Sequence, residues 1–406
     1  MEVLFVHPNF PGQFLRIAKA FADLPGVHVY GLGDESWMSP APGLEKVTVI
    51  GYPPPAKTSQ PDLHPWTRGY DEAVRRAEQV ISTLAAYKTK GLEPDVIIAH
   101  PGWGDAFFLR DLFPGARILG FFEFYYRAHG ADTNFDLESP FQLMDVFRIR
   151  SMNATQLMAL DACDGGFTPT YWQRSRFPDV WQEKLEVIHE GIDTNIVKPN
   201  PEASVLIDGV LLKAGDEVLT FASRNLEPYR GLHIFMRALP TILAARPNCH
   251  VVIMGGTDKG YGTPPPEGTT FRDIFLAEVQ NRLDMSRVHF TGRLEYSQFL
   301  ALLQVSRAHV YLTYPFVLSW SMMEAMAAGC LVIGSATAPV EELIEDGVNG
   351  LLTPFHSPTA LADRVIQVLA HPQHFEGLRQ AARQTIIDRY DFATVSLPAY
   401  LRLLNS

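Results

Sequence analysis

Short apolar runs and longer amphipathic stretches alternate along this chain. Residues Val3 to Val6 form an apolar run that ends at His7-Pro8-Asn9-Phe10-Pro11-Gly12, after which Phe14, Ile17, Ala18 and Phe21 recur on one helical face. Strand, loop and helix are predicted in that order. Further strands are predicted at Val27 to Gly31, Val96 to Ala99 and Arg117 to Phe121, and the segment from Phe141 to Leu160 reads mainly as helix. This alternation predicts a doubly wound α/β domain in the first half.

After Leu185-Glu186-Val187-Ile188, the string His189-Glu190-Gly191-Ile192-Asp193 leads into a polar, proline-containing stretch through Pro201, which reads as a hinge. A second cycle follows, with strands predicted at Val218 to Ala222, His250 to Met254, Val288 to Phe290, Val310 to Thr313 and Leu331 to Gly334. Gly255-Gly256 to Gly268 reads as a glycine- and proline-rich loop, and no short repeat interrupts the pattern. The expected organisation is a first domain over 1–192, a second over 193–385, and a terminal helix over 386–406 returning to the first.

Composition narrows the function classes. The 406 residues suit two domains, and 34 Lys plus Arg against 45 Asp plus Glu give a formal charge of -11. That balance opposes a broad electrostatic grip on nucleic acid, so any phosphate site must be local. The three cysteines, Cys163, Cys249 and Cys330, lack metal-ligand spacing, and an odd count cannot pair fully within one chain. The opening does not read as a secretion signal, and no stretch of about eighteen apolar residues suggests a membrane span. The expectation is a cytoplasmic protein with no transmembrane anchor, for which peripheral contact with the cytoplasmic membrane face stays open.

Chemistry concentrates where strands give way to loops and helix starts. Ala222-Ser223-Arg224-Asn225-Leu226-Glu227-Pro228-Tyr229-Arg230-Gly231 puts two fixed positive charges after a strand, where guanidinium groups can grip a diphosphate and stabilise a leaving phosphate. Surface ion pairs are the bland alternative. In the segment Tyr314 to Gly329, a helix predicted to start near Ser319 to Ser321 offers amides to phosphate oxygens. Glu324 early in that helix can accept from ribose hydroxyls, or serve as a buried ion-pair partner. Met322, Met323 and Met326 read as packing residues.

In this ordered set, from Pro8-Asn9-Phe10-Pro11-Gly12 through His189 to Asp193, Arg224 to Gly231, Gly292-Arg293-Leu294 and Glu324-Ala325-Met326-Ala327-Ala328-Gly329, the chain resembles the retaining glycosyltransferases of family 4 (group 1). The resemblance implies two facing Rossmann-like, doubly wound domains of the GT-B type. It implies that Arg224 and Arg230 contact the donor phosphates, although the second position is commonly lysine and the usual gap one residue shorter. It places amides of Ser319, Trp320 and Ser321 around the diphosphate and Glu324 at the ribose. The family commonly has two glutamates separated by seven residues; Glu324 matches the second, and the first falls at Phe316, whose ring can pack on a sugar face or simply fill the loop. His100, in Asp95 to Gly104, falls where the family brings a histidine to the donor sugar; a structural histidine is the competing reading.

Gly12 would let the first loop approach the donor or acceptor, or only close a tight turn. Glu123, Arg127 and His129 form an acceptor-side polar cluster in which Glu123 binds an acceptor hydroxyl or neutralises Arg127. Arg293 borders the nucleotide pocket. The implied reaction transfers a hexose-type sugar from a nucleotide diphosphate sugar, with uridine or guanosine as base, to an acceptor hydroxyl with retention of configuration. The implied chemistry uses no cofactor and no metal. An epimerase or phosphorylase of the same architecture, and a noncatalytic carbohydrate-binding or scaffold protein, are the alternatives.

Overall fold

The computed structural model describes residues 1–38, 42–56 and 62–405. The chain forms two compact units: one contains Met1–Asn134, Ser139–Gly191 and the stretch beginning at Phe392, and the other contains Phe135–Glu138 and Ile192–Asp391.

The first unit is built on a seven-stranded sheet: β1 (Glu2–Val6), β2 (His28–Asp34), β3 (Val47–Tyr52), β4 (Val96–Ala99), β5 (Arg117–Phe121), β6 (Gly165–Thr168) and β7 (Leu185–Val187), in spatial order 3-2-1-4-5-6-7. Neighbouring strands pair in parallel, with Val3 opposite both Val29 and Val96. Parallel strands need crossovers, and helices on both faces then bury both sides of each strand. Side chains alternate accordingly. Leu4, Val6, Ile97 and Ala99 enter one core with Ala73, Ala77, Val80 and Leu84 of the helix Arg68–Lys88. Val3, Phe5, Val96 and Ile98 enter the other with Phe14, Ile17 and Phe21.

The second core is closed by the C-terminal segment. After a π-helical turn at Phe392–Ser396, the helix Leu397–Asn405 places Tyr400 and Leu403 in that core, and Arg117 Nη1 binds the Leu403 carbonyl at 2.6 Å. The Tyr400 ring meets Phe167 edge-on at 5.1 Å. The return of the terminal helix to the first unit, read from the sequence, is therefore present.

The second unit repeats the plan. Its parallel sheet contains β10 (Val218–Asn225), β11 (His250–Gly256), β12 (Val288–Gly292), β13 (Ala308–Tyr311), β14 (Leu331–Ser335) and β15 (Leu351–Thr353), in order 12-11-10-13-14-15. An antiparallel hairpin, β8 (Ser204–Ile207) and β9 (Val210–Lys213), precedes it and turns at Asp208-Gly209, both with positive φ. Phe135 comes from the first half of the chain yet packs in this unit, 5.2 Å from the Tyr314 ring and 5.1 Å from Phe355.

Two sequence readings change in detail. The helical segment 141–160 is two helices, Leu143–Met152 and Ala154–Ala162, broken at Asn153, whose side chain accepts from Tyr126 N and donates to the Tyr126 carbonyl, both at 2.9 Å. Strand β3 lies outside the sequence-read set, and its Tyr52 is a centre of a buried polar network. Tyr52 donates to Asp105 at 2.8 Å, and Arg76 Nη1 reaches Tyr52 at 3.2 Å and Asp34 at 3.1 Å.

Asp105 is fully enclosed, and burial raises its pKa to about 6 although Arg76 and Tyr52 act in the opposite direction. A folded-state pKa above the unfolded value means that the protonated carboxyl favours the fold, and this contribution is lost as pH rises through about 6. Wild type should therefore lose thermal stability relative to Asp105→Asn between pH 5 and pH 7, measured as the difference in unfolding midpoint; a pH-independent difference would refute the assignment.

Candidate functional site

In a doubly wound sheet the strand order reverses once, and the loops leaving the two strands at that point turn apart. In the first unit this point lies between β1 and β4. His7 follows β1 and His100 follows β4, and their rings stand 5.1 Å apart, nearly perpendicular. Both are buried. Asn9 N donates to His7 Nδ1 at 2.9 Å, so the neutral ring carries its proton on Nε2 and presents it to Gln13 Oε1 at 2.8 Å. Burial, and then the neighbouring His100, hold the His7 pKa well below that of a free imidazole.

His100 accepts from Gly102 N on Nδ1 at 3.2 Å, which leaves Nε2 as its donor. That nitrogen is 3.5 Å from Glu123 Oε2 and has no hydrogen-bond partner. Gln13 Nε2 donates to Glu123 Oε1 at 3.3 Å. The two histidines are thus linked through Gln13 and Glu123, a connection absent from the sequence reading, where Gln13 has no assigned part. Arg127 instead donates Nε to the Arg176 carbonyl at 2.7 Å and lies over the Tyr125 ring.

Gly12 has a local reason to be glycine. Its φ is +47°, and a Cβ there would stand 2.6 Å from His7 Cε1.

In the second unit the reversal lies between β10 and β13. Arg224 sits near the end of β10 with its side chain exposed. Arg230 closes the short 3-10 turn Pro228–Arg230 and is buried. Its Nη1 binds Thr313 Oγ1 and the Val317 carbonyl, each at 2.9 Å, and lies 3.3 Å from Tyr311 Oη. Ser319 N donates to that same tyrosine oxygen at 2.7 Å. One hydroxyl therefore ties the arginine to the start of the helix Trp320–Ala327. The close packing needs Gly231, whose φ is +70° and whose Cβ would meet Leu312 at 2.4 Å.

Ser319 caps this helix, accepting from Ser321 N at 3.3 Å, and Ser321 Oγ reaches the Ser319 hydroxyl at 3.0 Å. Trp320 is half-buried at the first helical position. Glu324, one turn on, is buried and accepts from the Tyr296 hydroxyl at 2.9 Å. Arg293 follows β12 and reaches Asn225 Oδ1 at 3.3 Å and Asp258 at 2.5 Å. The structure thus places Arg224 and Arg230 at the carboxyl end of β10, Ser319, Trp320, Ser321 and Glu324 after the neighbouring β13, and Arg293 after β12, one strand further from β10.

Phe316 is buried in an aromatic group, with Tyr261 at 4.7 Å and Tyr229 at 5.5 Å, and the Arg230 guanidinium lies 5.8 Å from both the Tyr261 and Phe316 rings. Glu227, buried beneath this group, accepts from Tyr261 N at 2.5 Å; burial raises its pKa, while Tyr261 N, Arg230 and Arg224 pull it down. The aromatic wall formed by Tyr229 and Tyr261 has no counterpart in the sequence reading.

Asp136, Glu138 and His233 can each bring one ligand atom within 4.8 Å of the others, the spacing a metal ion requires. These carboxylates already have partners. Asp136 accepts from the Tyr314 hydroxyl and lies 3.5 Å from His233 Nε2, and Glu138 takes the Arg237 guanidinium on both oxygens. Arg237 also pairs with Glu278. A cation entering here would face that guanidinium.

Residues 26–197 match a model of the glycosyl transferase family 4 group, and residues 206–385 match a model of the glycosyl transferases group 1. The chain is 23% identical over 223 residues to the D-inositol 3-phosphate glycosyltransferases of Mycobacterium bovis and Mycobacterium tuberculosis, a stretch covering 54% of this chain. The chain spans less than half of those relatives, 44% of their length. Among solved structures, sucrose-phosphate synthase from Thermosynechococcus elongatus superposes with a TM-score of 0.72 at 17% identity, over 100% of this chain and 99% of that one. Anabaena Alr3699/HepE in complex with UDP and glucose superposes with a TM-score of 0.66 at 17% identity, over 100% of both chains. At these identities the structural likeness establishes the fold.

Gly12→Ala should destabilise the first unit by about 1–3 kcal/mol, since it combines an unfavourable φ with a side chain driven into the His7 ring. A lowered thermal midpoint together with displaced His7 resonances in the NMR spectrum is the expected result; an unchanged midpoint would show that the loop relaxes freely.

Proposed function

We propose that this chain, which belongs to the group 1 glycosyltransferases of family 4, transfers a hexose-type sugar from a nucleotide diphosphate sugar to an acceptor hydroxyl with retention of configuration. The observation that carries the reading is the interlock in the second unit, where Tyr311 Oη joins Arg230 to the amide at the start of the helix Trp320–Ala327. A diphosphate at this strand edge would meet the helix-start amides and the charges of Arg224 and Arg230 together. Both stabilise negative charge growing on the departing phosphate.

Glu324 is placed one helical turn from those amides and offers its carboxylate to ribose hydroxyls, with Tyr296 orienting it. Arg293 borders the base. Uridine or guanosine serves as that base in this reading, and the UDP in the Anabaena structural neighbour supports uridine. Phe316 removes a carboxylate from the sugar side, so the donor sugar is held there by ring packing rather than by a charged acceptor. In the first unit, His100 offers an Nε2 without a hydrogen-bond partner to a sugar hydroxyl, oriented by Gly102 N on its other nitrogen. The leaving phosphate accepts the acceptor's proton, so the demands on the protein are placement and charge stabilisation, with no resident metal or cofactor.

Mass spectrometry after incubation with a panel of nucleotide sugars and mixed acceptor extracts tests the reading. An acceptor that gains one donor's glycosyl mass only in the presence of protein is the expected result, unchanged by EDTA. Donor turnover without an acceptor product would favour an epimerase or hydrolase, and donor binding without turnover would favour a carbohydrate-binding role.

Arg224 is exposed, so its replacement separates function from folding. Arg224→Gln should lower kcat/KM for the donor by about 100-fold while leaving the thermal midpoint in place. Wild-type kinetics in this variant would remove Arg224 from the phosphate grip.

A further inference from the structure

Four residues that interrupt the first unit along the chain, Phe135–Glu138, belong to the second unit. Asn134, which precedes them, has a φ of +59°, the left-handed conformation that asparagine adopts more readily than most residues. Two of the four carry carboxylates. Glu138 is exposed and pairs with the Arg237 guanidinium, a surface contact of the kind that contributes little to stability.

Asp136 is buried, and its two oxygens serve different partners. Oδ1 accepts from Glu138 N at 2.9 Å, within the segment, and Oδ2 accepts from the Tyr314 hydroxyl. His233 Nε2 also stands 3.5 Å from Oδ2, but without a hydrogen bond. Burial lowers the His233 pKa and outweighs the opposing pull of Asp136 and Glu138, so the imidazole is neutral near pH 7 and leaves the carboxylate to Tyr314. A buried carboxylate is costly even when paired, and an apolar side chain of similar size fills such a space without that cost. What distinguishes Asp136 from such a residue is its grip on Tyr314.

Tyr314 lies in the loop that joins β13 to the helix Trp320–Ala327. Its ring stacks on Tyr229 with centroids 4.5 Å apart, and its N–H donates to the Tyr229 carbonyl at 3.0 Å. Tyr229 is the middle residue of the 3-10 turn that ends at Arg230. Along the loop, Thr313 Oγ1 and the Val317 carbonyl receive Arg230 Nη1 on either side of Tyr314. Tyr314 thus sits between two acceptors of the guanidinium in sequence and against the turn that carries it. Phe135, 5.2 Å from the Tyr314 ring, packs over this arrangement.

We propose that Asp136 is a positioning residue for Arg230: through Tyr314 it fixes the loop and the turn between which the guanidinium is held. A ring stacked by dispersion alone can slide along its neighbour, whereas a charge-assisted O–H···O bond fixes its far end. Sliding of Tyr314 would carry Tyr229 with it and re-aim the planar fork of Arg230, whose geometry decides how it meets a phosphate. That the phosphate belongs to a sugar donor rests on the glycosyl-transfer reading; the positioning of Arg230 does not.

The test compares Asp136→Ala, Asp136→Asn and Tyr314→Phe with wild type in the full chain. Asparagine keeps an oxygen for the Tyr314 hydroxyl, alanine removes it, and phenylalanine keeps the stacked ring while deleting the hydroxyl. Two readouts apply: the NMR signal of the Arg230 Nε–H group without ligand, and calorimetric titration with UDP, GDP, inorganic pyrophosphate, uridine and guanosine. Asp136→Ala and Tyr314→Phe should each shift the Arg230 signal and weaken binding of the diphosphates about tenfold while leaving nucleoside binding in place. Asp136→Asn should stay within about threefold of wild type, and Glu138→Gln, which loosens the same segment at its exposed end, should change neither readout. If Asp136→Ala does not fold, Tyr314→Phe decides on the same readouts. An unmoved Arg230 signal, equal losses in the alanine and asparagine variants, or the same loss in Glu138→Gln would overturn the proposal. A wild type that binds none of the diphosphates counts against the glycosyl-transfer reading instead, and the Arg230 signal then still decides the positioning.

Discussion

Parallel strands cannot be joined by tight hairpins, so each connection must cross a face of the sheet, and both faces become buried. Once the crossovers change direction, two adjacent strands send their following loops to opposite sides and leave a crevice between them. That constraint acts in each unit by itself: between β1 and β4, where His7 and His100 meet, and between β10 and β13, where Arg230 meets the helix start. In the first unit the burial of Val3 to Val6, alternately in the two cores, holds the strand end at its crevice. Removing a side chain such as Phe5 would cost about 3–5 kcal/mol and loosen the position of His7 two residues on.

Arg230 shows how a buried charge can be held yet remain available for work. A guanidinium has five N–H groups in a planar fork, and the contacts to Thr313, Val317 and Tyr311 all use Nη1. Aromatic rings at 5.8 Å cover part of the fork. Phe316 puts an apolar ring beside the guanidinium, 5.8 Å away. Glu227 is the nearby acid that acts on Arg230, and its own charge is disfavoured by burial. In the proposed reading, a phosphate group is the complement of this site.

Much of this was legible in the residue pattern, for physical reasons that differ from element to element. Strands β1, β4 and β10 are continuous apolar runs because both faces are covered, and Ser319 announces a helix start because its hydroxyl can cap the second amide. Strand β3 reads poorly because Thr48 and Val49 are exposed and interrupt the run. The hairpin β8–β9 had a signal, Asp208-Gly209 between two apolar pairs, that passes as part of a polar linker unless the turn chemistry is weighed. Gln13 and the Tyr229–Tyr261 wall could not be found from periodicity, since their partners lie 110 and 32 residues away in the chain or arise from packing alone. Phe135 likewise carries no local mark of the unit in which it packs.

Net charge and local charge answer different questions in this molecule. A chain of charge -11 repels anions at long range, and salt screens that repulsion within about 10 Å. In the proposed reading, recognition of a phosphate then depends on guanidinium groups held at a strand edge rather than on the field of the whole chain. Asp71 holds Arg75, Asp145 holds Arg148, and Glu138 and Glu278 hold Arg237, all as ion pairs. Arg224 is left exposed at the carboxyl edge of its sheet. In the proposed reading, polyanions meet net repulsion from the chain, whereas a small phosphate-bearing molecule that fits the second unit's crevice meets the local field of Arg224 and Arg230.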